Sequence, residues 1–479
     1  MAGIGIKLTK FFNKDSIISR VIGCGYSVVV TIAPMLIIIA VIMLMQLLLG
    51  FSELDYASRE LYACTVLYIF IFSLLTASPF NAVISRYMSD IIYEEKYEDI
   101  TPCFYTGLLM NTVFSFIVAV PFCIHEFVVG GVNIWYVFAG FFGFMSLMFT
   151  FYTMLYLSIC KDYKKISLFY VIGMLITLVL SLILHYVFGV KTDIAMLVSL
   201  DVGLFVIAVL EFSLFRRYFK DNSGNYLAVL RYFARYWQLI AANFFYIFGL
   251  FIHNFVFWTT PGHLIVVKTF VCHQPYDMAS CLAMFTNITA SVIFITRVEM
   301  YFHSRYKAYS EAVIGGRGLD IKSGKQRMFS QIMEELMTLT RVQFIVTTPL
   351  FLIAMIILPR LGFGGNVIRI YPCLAAAYFV MFIMYSIIIF LYYFNDLNGA
   401  VWTSLTFFTA TLLGSIVASK LPTLWYGIGL FIGSFLGFSV AYYRIRRMEK
   451  TMDVHTFCRG SMLKKGRGRM PSNLVYERK

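Results

Sequence analysis

Residues 166–189 read ISLFYVIGMLITLVLSLILHYVFG, a run with no Asp, Glu, Lys or Arg between Lys165 and Lys191. At about 1.5 Å per residue a helix of this length reaches past the ~30 Å hydrocarbon core of a bilayer. The run is continuous and does not alternate with period two, so it reads as a spanning helix and not as a barrel strand. Comparable runs recur along the whole chain. Composition agrees: 60% of residues are hydrophobic, 13% are charged, and the mean hydropathy is +0.79. No stretch is long and polar enough for a separate soluble domain.

The pattern predicts an all-α polytopic membrane protein with about 12 transmembrane helices. The spans are expected over about 22–50, 61–86, 103–124, 134–160, 166–189, 195–215, 237–260, 277–299, 341–359, 370–394, 401–419 and 424–443. The first is too long for the apolar core of a cleavable signal and is expected to remain as a signal-anchor. Kinks are expected at Pro34 and Pro79, where a neighbouring helix or a wet cavity must satisfy the freed backbone groups.

Loop charge sets the orientation. Of the 39 lysines and arginines, 33 fall on the side that holds both termini. This bias predicts that both termini are cytoplasmic and explains the net charge of +14. Basic residues used this way argue against a nucleic-acid partner and for contact with the lipid bilayer. Two basic, amphipathic stretches, Asn225–Tyr236 and Ile321–Thr340, are expected as helices lying in the cytoplasmic interface. The nine cysteines are an odd number, form no CxxC pair and mostly sit in spans. They read as small apolar residues, not as disulfides or metal ligands. Cys272 is expected in an external loop.

Six spans, a basic linker and six more spans suggest an internal duplication. An offset of 211 residues pairs Ser85-Arg86 with Thr296-Arg297, Ser78 with Thr289 and Lys96 with Lys307. The expected units are an N-terminal six-helix bundle (1–215), a cytoplasmic linker (216–236), a C-terminal six-helix bundle (237–443) and a basic cytoplasmic tail (444–479). Transporters often place the substrate path between such halves.

Catalytic chemistry is not legible. The Gly315-Gly316-Arg317-Gly318 and Ser323-Gly324-Lys325-Gln326 stretches lack Walker A spacing and its Ser/Thr. No DxD pair, no HExxH and no other metal-ligand cluster occurs, so neither a metal nor another cofactor is expected. What remains are polar residues inside apolar spans. Ser78, Asn81 and Ser85 share one face of the second span. Asn243, His253 and Asn254 mark the seventh. Asn287 and Ser291 mark the eighth, which ends at Arg297 and Glu299. Asp201 lies in the sixth. Ionisable groups at such depth point to a pathway; for Ser and Asn, interhelical hydrogen bonding explains the pattern equally well.

Several stretches together resemble the inner-membrane transporter family of the Pel exopolysaccharide system. That family belongs to the multidrug, oligosaccharidyl-lipid and polysaccharide flippase superfamily. The stretches are Ser85-Arg86-Tyr87-Met88-Ser89-Asp90 with the acidic Tyr93–Asp99 segment, Phe251-Ile252-His253-Asn254 running on to Phe257-Trp258, and Thr296-Arg297-Val298-Glu299-Met300-Tyr301-Phe302 followed by Arg305-Tyr306-Lys307-Ala308-Tyr309. Tyr392-Tyr393-Phe394-Asn395-Asp396-Leu397 and Thr456-Phe457-Cys458-Arg459 complete the set. The resemblance implies two six-helix bundles around a central cavity lined by spans 1, 2, 7 and 8. It implies a partly deacetylated, cationic amino-sugar polysaccharide as substrate, exported for biofilm matrix. It also implies a separate cytosolic glycosyltransferase and small membrane proteins of the Pel complex as partners. The residues alone leave open a lipid-linked oligosaccharide flippase, a cation-coupled multidrug antiporter and a non-transporting scaffold.

Overall fold

The computed structural model describes residues 17–159, 163–288, 302–360 and 363–458. The helices in chain order are α1 (Ile17–Leu48), α2 (Tyr56–Ala77), α3 (Asn81–Tyr93), α4 (Ile100–Val128), α5 (Ile134–Ile159), α6 (Tyr163–Leu182) and α7 (Thr192–Tyr218), followed by α8 (Tyr226–Arg235) and α9 (Trp237–Phe257). A short antiparallel hairpin, β1 (Leu264–Val266) and β2 (Phe270–Cys272), leads to α10 (Gln274–Asn287). Then come α11 (His303–Gly315), α12 (Gly318–Arg360), α13 (Gly365–Tyr393), α14 (Leu397–Ala418) and α15 (Ile428–Cys458).

Among the described residues, ten helices are long and apolar enough to cross a membrane. They match ten of the expected spans. The other two expected spans coincide with α1 and with α10, which ends just before residues outside the description. Leu109, Ile117, Leu175, Phe344 and Leu413 are each more than 60% exposed. Large apolar side chains so open make sense only against lipid. The chain is a multi-pass membrane protein.

Helix pairing repeats. In the first half α2 packs on α5, α4 on α5, α5 on α7, α6 on α7 and α1 on α6. In the second half α10 packs on α13, α12 on α13, α13 on α15, α14 on α15 and α9 on α14. Substituting each span by the one six later converts one set into the other. The buried apolar side chains likewise form two cores, one built mainly from α1–α8 and the hairpin, the other from α9–α15. Both halves use small residues for close crossings. Gly173 faces Gly203 between α6 and α7, and Gly414 faces Gly429 between α14 and α15. An added Cβ at Gly414 would lie 2.9 Å from the Gly429 Cα. Without a hydrophobic driving force between helices in lipid, such backbone approach is the main source of packing energy.

Three local outcomes differ from the sequence reading. The Ile321–Thr340 stretch does not lie in the interface as a separate helix. It is the first half of α12, a continuous 43-residue helix, and about 30 Å of it extends beyond the apolar segment. Its apolar face is covered by protein: Met328, Ile332 and Leu336 are buried in one core with Tyr309, Phe394, Met448 and Met452. The basic tail likewise begins as a continuation of α15. Cys272 is not an exposed loop residue; it closes β2 and is buried. The Asn225–Tyr236 stretch does form a short helix, α8. Val229 and Phe233 are buried, while Leu227 and Leu230 stay exposed.

Candidate substrate cleft

The seam between the halves is made by α2 and α3 against α9. Pro79 has no N–H, so the carbonyl of Leu75 loses its helical donor and the helix stops. Helix α2 ends at Ala77 and α3 begins at Asn81. The other half bonds to the backbone at the break: the Asn243 amide in α9 donates to the Ser78 carbonyl (3.0 Å) and accepts from the Tyr392 hydroxyl (3.3 Å). By contrast, Pro34 lies inside α1, which continues through it.

Toward the Lys/Arg-rich end, Arg86 donates to the Asn395 side chain (2.8 Å), and its guanidinium sits 4.3 Å from the Tyr236 ring centroid. Asn395 adopts a left-handed conformation (φ 57°), which Asn tolerates better than most residues. That turn places Asp396 as the N-cap of α14, where it accepts from the Gly399 N–H (3.1 Å). Arg444 of α15 binds the same carboxylate through two nitrogens (2.8 and 3.1 Å). The Tyr232 hydroxyl donates to Asp90 (2.5 Å), tying α8 to α3.

Toward the hairpin end, the Tyr68 hydroxyl of α2 donates to the Val271 carbonyl (2.6 Å) and accepts from its N–H (3.1 Å). The Tyr68 ring stacks on Trp258 with centroids 4.9 Å apart. The Trp258 indole N–H in turn meets both Asp277 oxygens (3.0 and 3.1 Å). Asp277 also accepts from the Asn254 amide (2.7 Å) and the His273 N–H (2.9 Å).

Between these two polar zones lies an open cleft of about 510 Å³, lined by Phe72, Leu75, Phe248, Phe255, Trp258, Thr259 and Val271. Phe72 from one half stacks on Phe255 from the other. The cleft wall is mostly aromatic, with the Asp277 carboxylate fixed behind Trp258.

The structure brings Ser78, Arg86 and Asn243 to the seam. Asn81 and Ser85 lie on the same helix, partly buried, and the Asn81 oxygen has no hydrogen-bond partner among the described residues. Asn254 reaches the cleft's end through Asp277. His253 and Asn287 turn into the second half: His253 meets the Tyr276 hydroxyl (2.9 Å), and Asn287 donates to the Ala375 carbonyl (3.1 Å). Asp201 is buried inside the first half, neighboured by Tyr62 and Tyr136, with neither oxygen hydrogen-bonded among the described residues. It faces Gly143, where an added Cβ would lie 2.0 Å from its Oδ1. Ser291, Arg297 and Glu299 lie outside the described residues.

Sequence reasoning missed Asp277, Glu211 and the Asp396–Arg444 pair as individual groups. Glu211 is fully buried and accepts from Thr153 (2.5 Å). Its position mid-run in α7, ten residues after Asp201, was a legible signal. Asp277 sits where an apolar span begins and reads as an ordinary end residue until Trp258 and Asn254 fold onto it.

Comparison with known proteins agrees with this architecture. The fold is similar to a MATE transporter in complex with MaL6 (TM-score 0.57, 13% identity, covering 89% of this chain and 97% of that one). It is similar to a MOP superfamily transporter from Pyrococcus furiosus (0.56, 14%, 88% and 96%). It is also similar to the outward-facing conformation of a multidrug resistance MATE family transporter (0.54, 14%, 89% and 96%). At these identities the likeness is one of fold. No curated protein sequence matches the chain. The family model for PelG, an exopolysaccharide exporter (EPS-E), matches residues 1–457. With a transporter fold and a matching family over nearly its whole length, the chain belongs to the PelG family of exopolysaccharide exporters.

Proposed function

We propose that the chain carries a cationic, amino-sugar-rich Pel-type polysaccharide across the inner membrane, entering at the cytoplasmic Lys/Arg-rich end and leaving at the hairpin end. A separate cytosolic glycosyltransferase makes the polymer, and small membrane proteins hold the assembly together. The observation that carries this reading is the aromatic cleft with Asp277 behind it. Aromatic faces stack on sugar rings, and they attract an ammonium group by about 0.5–2 kcal/mol each. A carboxylate at one end favours the same charge.

The unpartnered Asp201 supports one addition, that movement is coupled to a cation or proton taken up inside the first half. The expectation is that Trp258→Ala and Phe255→Ala each lower secreted amino-sugar polymer per unit of membrane-resident protein. Trp258→Phe keeps a ring against Tyr68 but loses the donor to Asp277, and falls between. Normal export from both alanine variants at normal protein levels would remove the cleft from the path. Polymer made by the pure protein from nucleotide sugars alone would sink the division of labour.

A further inference from the structure

At the hairpin end, two cysteines meet across the seam. Cys64 lies one helical turn before Tyr68 in α2, so both side chains share a face. Tyr68 holds the Val271 backbone by its N–H and its carbonyl, and the next residue is Cys272. Helix α2 packs on both strands of the hairpin. Cys64 and Cys272 are 2% and 3% exposed, so both side chains are buried where α2 packs on the hairpin. Cys103, by comparison, faces the Tyr156 hydroxyl (3.6 Å).

We propose that Cys64 and Cys272 form a disulfide that staples α2 of the first half to the hairpin between α9 and α10. This departs from the sequence reading of all nine cysteines as packing residues. It rests on the orientation proposed above, which puts the hairpin outside the cytoplasm, where disulfides persist. The two thiols release two protons and two electrons as the S–S bond forms. The oxidant is a dithiol–disulfide oxidoreductase of that compartment, whose own disulfide is reduced to two thiols. It reaches Cys64 and Cys272 before the hairpin docks, because the docked pair is closed to solvent. The bond keeps the hairpin on α2, so that the outer end opens between the hairpin and α9.

The test counts thiols on the full chain with a polyethylene-glycol maleimide after acid quenching and denaturation. Without reductant the wild type is expected to take two fewer labels than with reductant. Cys64→Ser and Cys272→Ser should each abolish that difference. Nine labels in both conditions would overturn the proposal, because the chain has nine cysteines in all. Lys268→Cys, at the exposed hairpin tip, reports the orientation separately in a Cys64→Ser, Cys272→Ser background. If an impermeant maleimide labels it in intact cells while the wild type still shows nine thiols, the disulfide fails and the orientation stands. If it stays unlabelled and the wild type shows nine thiols, both fail.

Discussion

Helices α7 and α15 occupy equivalent places in the two halves, and their interiors are chemically opposite. Helix α7 buries Asp193, Asp201 and Glu211. Helix α15 has no Asp, Glu, His, Lys or Arg before Arg444 and buries Ser434 among glycines at 429, 433 and 437. The contrast extends to their neighbours. Around α13, the second half ties its helices with neutral groups: Asn287 to Gln343, Ser280 to Tyr378 (2.8 Å), and Thr286 to Tyr371 (2.8 Å); its carboxylates Asp277 and Asp396, unlike Asp201, are hydrogen-bonded. A common packing order therefore supports two kinds of interior. An ionised, unpaired carboxylate is costly at such depth, by several kcal/mol. Neutral hydrogen bonds between spans are worth about 0.6 kcal/mol on average. The interior around α7 thus holds an unpartnered carboxyl that packing alone does not require, whereas α15 packs without one.

Five substitutions break or sharpen this contrast. The largest effect is expected from Gly143→Leu, which drives a side chain into Asp201. Overpacking of this kind costs about 3 kcal/mol, and little folded protein should survive on fluorescence-detected size exclusion. Recovery of normal yield would mean that Asp201 is free to move away.

Next is Asp396→Ala. It removes the cap of α14 together with the two-pronged contact to Arg444, a loss of about 2–3 kcal/mol, read as a lower melting temperature in detergent. An unchanged melting temperature would show that α14 and α15 are held by their glycine contacts alone.

Third is a matched pair. Asp201→Asn should keep or raise thermal stability while export falls several-fold, since it replaces an unpartnered buried carboxyl, able to take up a cation or proton, with an amide that cannot. Gln343→Leu should do the reverse, lowering stability by about 1 kcal/mol with export per protein near normal. The opposite outcome in either member would erase the distinction between the halves.

The smallest effect belongs to Lys307→Ala. Lys307 meets Glu311 at 3.9 Å with both side chains about two-thirds exposed, and no change in stability is expected.

Much of the fold was legible because it follows from one-dimensional quantities. The span count came from apolar run length. The Pro79 break followed from a missing N–H. The helix α8 followed from an amphipathic stretch in the linker between the sixth and seventh spans. The Asn225–Tyr236 and Ile321–Thr340 stretches looked alike by the same criterion, yet only the first became a separate helix. Nothing between 321 and 349 interrupts helical hydrogen bonding, so α12 ran on into its span. Its apolar face then found α11 and the end of α15 as partners instead of lipid. A hydrophobic face predicts burial without naming what covers it.

The candidate site divides along the same line. Ser78, Arg86 and Asn243 stood out as polar residues in apolar runs, and they meet at the seam. Asp201 and His253 stood out equally and turn into the interiors of their own halves. The difference is rotational, set by how each helix packs, and a few tens of degrees decide it. The Tyr68–Trp258–Asp277 chain, and the facing of Cys64 to Cys272, join residues about two hundred positions apart in sequence. The amino-acid sequence by itself determined that the chain crosses a membrane many times, roughly where its apolar spans lie, and which residues are polar within them, because solvation and backbone hydrogen bonding act locally. Which of those residues share the cleft, and which cysteines share a face, was decided only by tertiary structure, because that depends on the packing of one half against the other.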